Sequence, residues 1–467
     1  MWLVLGAGLG TIWSPLGSLL LVVDLLLLVA VLWDRLLTPN PAEASVERDL
    51  PVHVGLSQPL TRVLRVQLPR NRELALAVHE EYPASFRVEH ADSDADVGSQ
   101  PDRAVTDADG SALLTRTYTP ERRGLHSLGS LRLVLSGPLG LVERSALLAG
   151  PQNIRVEPAL VDLSRILALA ASDRWQDLGV RRLRQRGGET EFESLREYVP
   201  GDEVRRVDWK AFARRGVPMV REHEVERGQE LFLLIDRGRR MRALAGRAAG
   251  TKTTAGADAS PDASTYASTY SGGTAWSKMD WALEAALQLA AVAIAKGDRV
   301  GIATFEQRID RWVSPARGRG QMRRLASAVF ECQATDRESN LERALSELGA
   351  RHRRRATVLI LSDVADPLTI PRQRRALGAA SKRHKIVFAA LDDPDLRRAA
   401  LGQGENGVEI SAALQAASLE LLEDRRRGLK GLGGRGVRVL DAIPAELAGP
   451  LLSAWLDARH DKPVRAR

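Results

Sequence analysis

Two aspartates stand where chemistry would be expected. The apolar run 231–235 (LFLLI) ends in Asp236, and a second run, 357–361, ends in Ser362 and Asp363. Short unbroken apolar runs read as parallel strands buried on both faces, and parallel sheets bind their ligands beyond the carboxyl ends of the strands. A carboxylate there can hold a hard cation through oxygen or pair with a guanidinium. Arg237, Arg239 and Arg240 crowd the loop after Asp236 and favour the ion pair. Other chemistries lack their patterns. The single cysteine, Cys332, rules out an internal disulfide framework and any cysteine-based zinc site. The histidines, His223 and His384 among them, show no ligand spacing such as H-E-x-x-H. There is no G-x-S-x-G elbow, and nothing in the spacing of the acids selects a catalytic pair, so no catalytic residue is assigned and the chain is not read as an enzyme.

The elements that must carry these aspartates alternate. Strands are expected at 300–305, 357–361, 386–391 and 437–440. Helices are expected at 281–296, 321–330, 341–348, 372–383, 410–427 and 445–458. Strands alternating with helices imply a doubly wound, parallel α/β sheet over 228–460. The segment 243–274 is rich in Ala, Gly, Ser and Thr and almost free of large apolar residues. It cannot bury enough surface to offset its ordering entropy, and we read it as a disordered insertion. Lys252 and Thr253 lie in it, with the wrong glycine spacing for a phosphate loop. Two G-x-G-x-x-G matches, at 402–407 and 431–436, are loops: one lies about ten residues beyond its strand, and the other precedes a strand instead of following one.

Ahead of this series, residues 159–227 are a linker ending in an ordered set of uncommon residues. Gly187 and Gly188 open a turn; Phe192, Leu195 and Tyr198 recur at three-residue spacing, which predicts one face of a short helical turn. Pro200, Gly201 and Asp202 punctuate it as a tight turn. Asp208 sits where an N-cap would precede a helix from Trp209 to about Arg214. The order Glu191, Phe192, Leu195, Arg196, Tyr198, Pro200, Gly201, Asp202, Arg205, Asp208, Trp209, then a strand ending in Asp236, resembles the family known as domain of unknown function 58.

That resemblance implies a von Willebrand factor A-like domain and a partnership with a MoxR-type AAA+ ATPase acting on an unknown client protein. Domains of that type often bind a divalent cation at Asp-x-Ser-x-Ser, helped by a threonine and an aspartate from further loops. Here Asp236 is kept, the serine positions are Gly238 and Arg240, Ser339 stands for the threonine and Asp363 for the distant aspartate. The implied Mg²⁺ site is therefore degenerate, and an Arg–Asp network is the expected occupant. The protein-binding face is expected at Asp236, Arg239, Arg240 and Asp363. For the signature residues the structural expectation is a fold-defining connection containing a buried tryptophan.

The first 37 residues are nearly all apolar. The stretch from Leu16 to Trp33 has about the length of a bilayer-spanning helix, with Asp24 at its centre. We expect a membrane anchor over 1–37, of one or two spans. Arg35 and Arg48 after it point to a cytoplasmic body, and no basic residue precedes the run as a signal peptide requires. From 41 to 158, alternating runs at 63–68, 74–78 and 131–135 predict a β-sandwich, with 91–110 as an exposed loop and 461–467 as a tail. A net charge of +8, from arginines interleaved with acids, argues for ion-paired faces and against nucleic acid. The expected fold is a membrane helix region, a β-sandwich and an α/β domain. The expected function is protein binding at the cytoplasmic membrane. A cell-envelope hydrolase using strand-end carboxylates and a cation-dependent adhesion module are the alternatives.

Overall fold

The computed structural model describes residues 15–69, 73–89, 101–159, 167–168, 192–198, 207, 209–223, 229–247, 275–363, 369–404, 410–434 and 436–460. They divide into two compact units, Met1–Glu157 and Pro158–Arg467.

Alternating burial builds the first unit. In Leu60–Gln67 every second residue turns inward, so Leu64 and Val66 are buried while Arg65 is not. Two four-stranded antiparallel sheets result. One runs Ser45–Asp49, Leu60–Gln67, Ser111–Pro120, Phe86–Glu89; the other runs Glu143–Ala149, Leu131–Ser136, Ala75–Glu80, Asp102–Val105. Leu64, Val66 and Leu114 of the first meet Leu76, Val78, Leu133 and Leu135 of the second in one apolar core, each such side chain contributing about 1.5–3 kcal/mol. The core also encloses charge. Arg62, fully buried, bridges Glu80 and Asp102, and Arg48 and Arg116 reach the same two acids at 3.1 and 2.7 Å. The expected loop 91–110 is only partly a loop, because Asp102–Val105 pairs with Ala75–Val78; four residues carry too little pattern to be recognised without their partner.

The expectation of a membrane anchor is not met. Among the described residues no helix is long and apolar enough to cross a membrane. The N-terminal helix Pro15–Leu37 is divided by Asp24 into apolar runs 15–23 and 25–33, each shorter than the roughly 20 residues a span requires. Its last turn belongs to the β-unit: the buried Asp34 carboxylate accepts the N–H groups of Leu139, Leu141 and Val142 at 2.8, 2.9 and 2.9 Å. Of the residues expected to mark the span, Trp33 is exposed and Asp24 half-buried, and the Leu16 side chain lies outside the described residues.

In the second unit a six-stranded sheet contains β1 (Glu230–Asp236), β2 (Arg299–Phe305), β3 (Ile309–Ala316), β4 (Thr357–Ser362), β5 (Lys385–Leu391) and β6 (Val437–Ala442). Its helices are α1 (Lys278–Ala295), α2 (Arg319–Val329), α3 (Leu341–Arg351), α4 (Ile370–Ser381), α5 (Pro394–Ala400), α6 (Ala412–Leu432) and α7 (Ala448–His460). The strand order is β3-β2-β1-β4-β5-β6. All pairs are parallel except β2 with β3. Residues alternate between two cores: Leu233 and Ile235 face α1, α2 and α7, while Phe232 and Leu234 face α3, α4 and α6. The antiparallel edge β3 and the short α5 were not foreseen, since Ile309–Ala316 mixes polar and apolar residues without the unbroken apolar run of the other strands.

The segment 248–274 lies outside the described residues, so the disordered insertion is not addressed there. Its expected first residues are otherwise: Leu244–Arg247 pairs antiparallel with Ala275–Ser277, which holds the two ends of the connection together. A connection that packs on nothing would add only closure entropy, about 0.6 kcal/mol for each doubling of length. Replacing 250–272 by a short Gly-Ser turn should leave the melting temperature of the full chain unchanged or a few degrees higher in calorimetry; a large fall would show that the segment packs on the core.

Candidate functional site

Strand order reverses between β1 and β4, and the carboxyl ends of the strands at such a point are where parallel sheets bind their ligands. Asp236 ends β1 there and is buried. Its Oδ1 accepts the Gly238 N–H at 2.7 Å, and its Oδ2 accepts the hydroxyls of Ser339 at 2.8 Å and Ser362 at 2.5 Å. All three donors are neutral. Burial pushes the carboxyl up to about 6, against the lowering effect of these hydrogen bonds and with a smaller push from the charge of Asp363.

Asp363, one residue beyond β4, is held differently. Lys278 Nζ donates to its Oδ2 at 2.7 Å, and the Arg425 guanidinium donates to its Oδ1. Local sequence explains how Lys278 gets there. Ser277 and Asp280 form a reciprocal capping box, with Ser277 Oγ accepting the Asp280 N–H at 3.2 Å and Asp280 Oδ2 accepting the Ser277 N–H at 2.9 Å. This starts α1 at Lys278 and drives its ammonium inward, 2% exposed. A cation at a helix N-terminus opposes the helix dipole, and the carboxylates of Asp363 and, at 3.3 Å, Asp393 offset that. Arg425, on α6, also reaches Asp441 at 2.9 Å and Asp392 at 3.5 Å. Four strand ends thus present carboxylates: Asp236 from β1, Asp363 from β4, Asp392 and Asp393 from β5, Asp441 from β6.

The loop arginines look elsewhere. Arg237 pairs with Asp310, Arg239 with Glu338 and Arg242 with Asp336. An Arg–Asp network does close the sheet edge, but its cations are Lys278 and Arg425, which lie on helices far along the chain and gave no local signal. Asp392 and Asp393 follow a strand as Asp236 does, and that signal was available.

The structure brings Asp236 and Ser339 of the implied metal set together and turns Asp363 away to its two cations. The set does not fit a divalent ion. Both Asp236 oxygens already accept hydrogen bonds, Asp363 is neutralised, and neither Gly238 nor Arg240 has a hydroxyl. Gly238 could not become serine without displacement, because an added Cβ would lie 3.0 Å from the Ser339 backbone nitrogen and Cβ. Among the described residues no group of three His, Cys, Asp or Glu could hold a metal.

Of the expected protein-binding residues, Asp236 is buried, Asp363 is half-buried with its side chain 7% exposed, Arg240 is half-buried and Arg239 is exposed. The signature segment departs from its reading. Phe192–Glu197 is a strand paired with Met219–His223, not a helical turn. A bulge between Phe192 and Ser194 adds a residue, so a spacing of three is compatible with a strand there. Arg196 and Leu195 lie in that strand, and Tyr198 N–H bonds the Pro218 carbonyl at 2.9 Å, closing the segment. A helix does run from Trp209 to Arg215. Trp209 is not buried: it is 61% exposed, with Phe212 at 38%, the rings edge to face at 6.1 Å. Glu191, Pro200, Gly201, Asp202, Arg205 and Asp208 lie outside the described residues.

Residues 194–260 and 261–411 match the model of the family described as protein of unknown function DUF58. The matched stretch belongs to that family. The DUF58 stretch takes in the strand after Glu191, the Trp209 helix and the sheet from β1 to β5. The uncharacterized protein YeaD of Bacillus subtilis is 33% identical over 129 residues, 27% of this chain and 31% of that protein. The uncharacterized protein Rv1480 of Mycobacterium tuberculosis is 27% identical over 222 residues, 46% of this chain and 60% of that one. The match thus spans less than two thirds of either relative. Among solved structures, the CARDB domain of the PF1109 protein from Pyrococcus furiosus, in complex with di-metal ions, is 14% identical over 26% of this chain and 92% of that chain, with a TM-score of 0.17. A FixG-related protein from Vibrio parahaemolyticus, 11% identical, covers 25% of this chain and 97% of its own with a TM-score of 0.16. Scores at that level carry no argument about this chain.

Two measurements check the site. Because burial raises the folded-state value for Asp236 to about 6, its contribution to stability is present below about pH 4 and lost as pH rises through 6, a change of about 3 kcal/mol. Urea unfolding of Asp236→Asn should therefore gain on the parent protein by that amount between pH 4 and pH 7; a constant difference would contradict the placement of the carboxyl. Calorimetric titration of the full chain with Mg²⁺ should show no saturable heat, and stoichiometric binding would contradict the clamp by Lys278 and Arg425.

Proposed function

We propose that this chain is a protein-interaction protein with a von Willebrand A-like domain, that it works with a MoxR-type AAA+ ATPase, and that the two act in the assembly, activation or maturation of a client protein. The observation that carries the reading is the exposure of Trp209 and Phe212 within the DUF58 stretch. An exposed tryptophan costs hydration free energy that a partner would recover, and tryptophan and arginine dominate binding hot spots. Lys210 and Arg214 flank the pair on the same short helix. The carboxyl edge of the sheet supports the same reading. Its carboxylates are hydrogen-bonded or ion-paired within the fold, and Arg239 and Arg242, paired with Glu338 and Asp336, are exposed on the loop after β1. The ATPase partner rests on the family resemblance.

A hydrolase reading is favoured by one observation, the raised value for Asp236, since a carboxyl that titrates near neutrality can move a proton. Its three hydrogen bonds are all to groups of the fold, which favours a structural role for it. The two readings separate in one experiment. The full chain, immobilised, should recover a AAA+ ATPase from lysate of its own source in the presence of ATP. Trp209→Ala should weaken recovery about tenfold or more, and Asp236→Asn should leave it unchanged. Reproducible failure of the folded chain to recover an ATPase would count against the partnership, and loss of recovery on Asp236→Asn alone would move the site to the strand ends.

A further inference from the structure

The opposite, amino-terminal edge of the six-stranded sheet carries a concentration of positive charge that the proposed function does not use. It is built from two helix exits. From the last residue of α3 the chain reads Arg351-His352-Arg353-Arg354-Arg355 before β4, and beyond α4 it reads Lys382-Arg383-His384 before Lys385 opens β5. β4 and β5 are parallel neighbours, with Thr357 opposite Lys385, so both exits open on the same edge side by side. Arg353, Arg354, Arg355, Lys382 and Arg383 are exposed, while His352 and His384 are buried beneath them.

Helix ends attract cations, and part of this charge has that explanation. Arg351 lies in the last turn of α3 and pairs with Glu347 at 3.5 Å, and Arg383 donates to the Gly349 carbonyl at 3.4 Å. Arg354 shares Glu230 with Arg299 and His352, at 3.6, 3.4 and 3.0 Å. The remainder is uncompensated: Arg353, Arg355 and Lys382 have no acidic partner among the described residues. The two histidines add a sign of the same field. Their rings stack at 6.2 Å, and neither ring nitrogen of His384 has a hydrogen-bond partner among the described residues. Burial, then the charges of His352, Arg383 and Arg355, push the His384 imidazole down to about 4. Burial chiefly keeps it neutral, and the neighbouring positive charges act in the same direction.

We propose that this edge is a docking surface for an acidic polypeptide segment. Charge complementarity sets the sign of the partner, and the layout sets its class. Glu230 already pairs with Arg299, His352 and Arg354, and Glu347 with Arg343 and Arg351, so the charge left over sits at a few discrete positions and forms no continuous stripe of the kind a polyanion such as a nucleic acid or an anionic lipid surface would use. A peptide can place separate carboxylates against Arg353, Arg355 and Arg383. At the border Arg351 stacks on Trp312 at 5.5 Å, and Trp312 packs on Phe232 at 4.6 Å. Aromatic rings with arginine are the composition enriched at protein interfaces.

The test is fluorescence anisotropy of a labelled glutamate-rich peptide titrated with the full chain at low and at physiological salt. Binding that weakens with salt is expected, and the triple variant Arg353→Glu/Arg355→Glu/Arg383→Glu should weaken it at least about tenfold. The neutral triple variant with Gln at the same positions, whose melting curve should match the parent, should fall between. Arg426→Glu, an exposed arginine on α6, should change nothing. The proposal is overturned if the parent does not bind the peptide, if Arg426→Glu weakens binding as much as the triple variants do, or if vesicles containing phosphatidylserine or a single-stranded RNA bind this edge more tightly than the peptide.

Discussion

One buried carboxylate organises the second unit: Asp363, clamped between the Lys278 ammonium and the Arg425 guanidinium. Three charged groups taken from water into a site of low exposure are costly unless each is paired, and each is. The pairing decides more than charge. Lys278 begins α1, which covers one face of the sheet, and Arg425 belongs to α6, which covers the other. The salt links therefore tie both helical layers to the carboxyl end of β4, at the point where strand order reverses. The same clamp argues against the cation site that the resemblance implied. With two fixed cations beside Asp363, a divalent ion would be repelled, and Asp236 is left to neutral hydroxyl and backbone donors.

That division of labour between the two aspartates has a physical basis in their partners. Asp363 meets full positive charges. Asp236 meets only dipoles, so burial dominates and its proton is held more tightly than in water. A site of this kind transmits packing, since Ser339 lies on the loop leading into α3 and Ser362 ends β4. Through these hydroxyls the loop after β1, the loop before α3 and the end of β4 form one unit, and the arginines of the β1 loop project from it toward Asp310, Asp336 and Glu338.

The β-unit uses buried charge in a comparable way. Arg62, with Glu80 and Asp102, crosses between its two sheets where an apolar core would otherwise be continuous, and Asp34 fastens the N-terminal helix to the turn at 137–142. Breaking such a pair costs more than its formation contributes, because the remaining charge is stranded. These links specify which strands face one another more than they add to overall stability.

Much of this was legible in the residues. Unbroken apolar runs identified β1, β4 and β5 with small errors at their ends, and alternation identified several strands of the β-unit, because burial on two faces or on one leaves its period in the chain. The ordered signature identified the family. The placement of Asp236 and Asp363 at strand ends followed from the same runs. What the residues could not disclose was who meets whom. An apolar count read a membrane span into a helix whose final turn is bound to the β-unit, and a three-residue spacing read a helix into a bulged strand, since local periodicity is silent about pairing partners. Trp209 was expected inside and lies outside, because exposure depends on what packs above a helix. Composition, period and family were determined by the sequence by itself; the partners of Asp363, the crowding at Gly238 and the basic edge formed by two distant helix exits were decided only by tertiary structure, because electrostatic and steric contacts act through space between residues that chain order keeps apart.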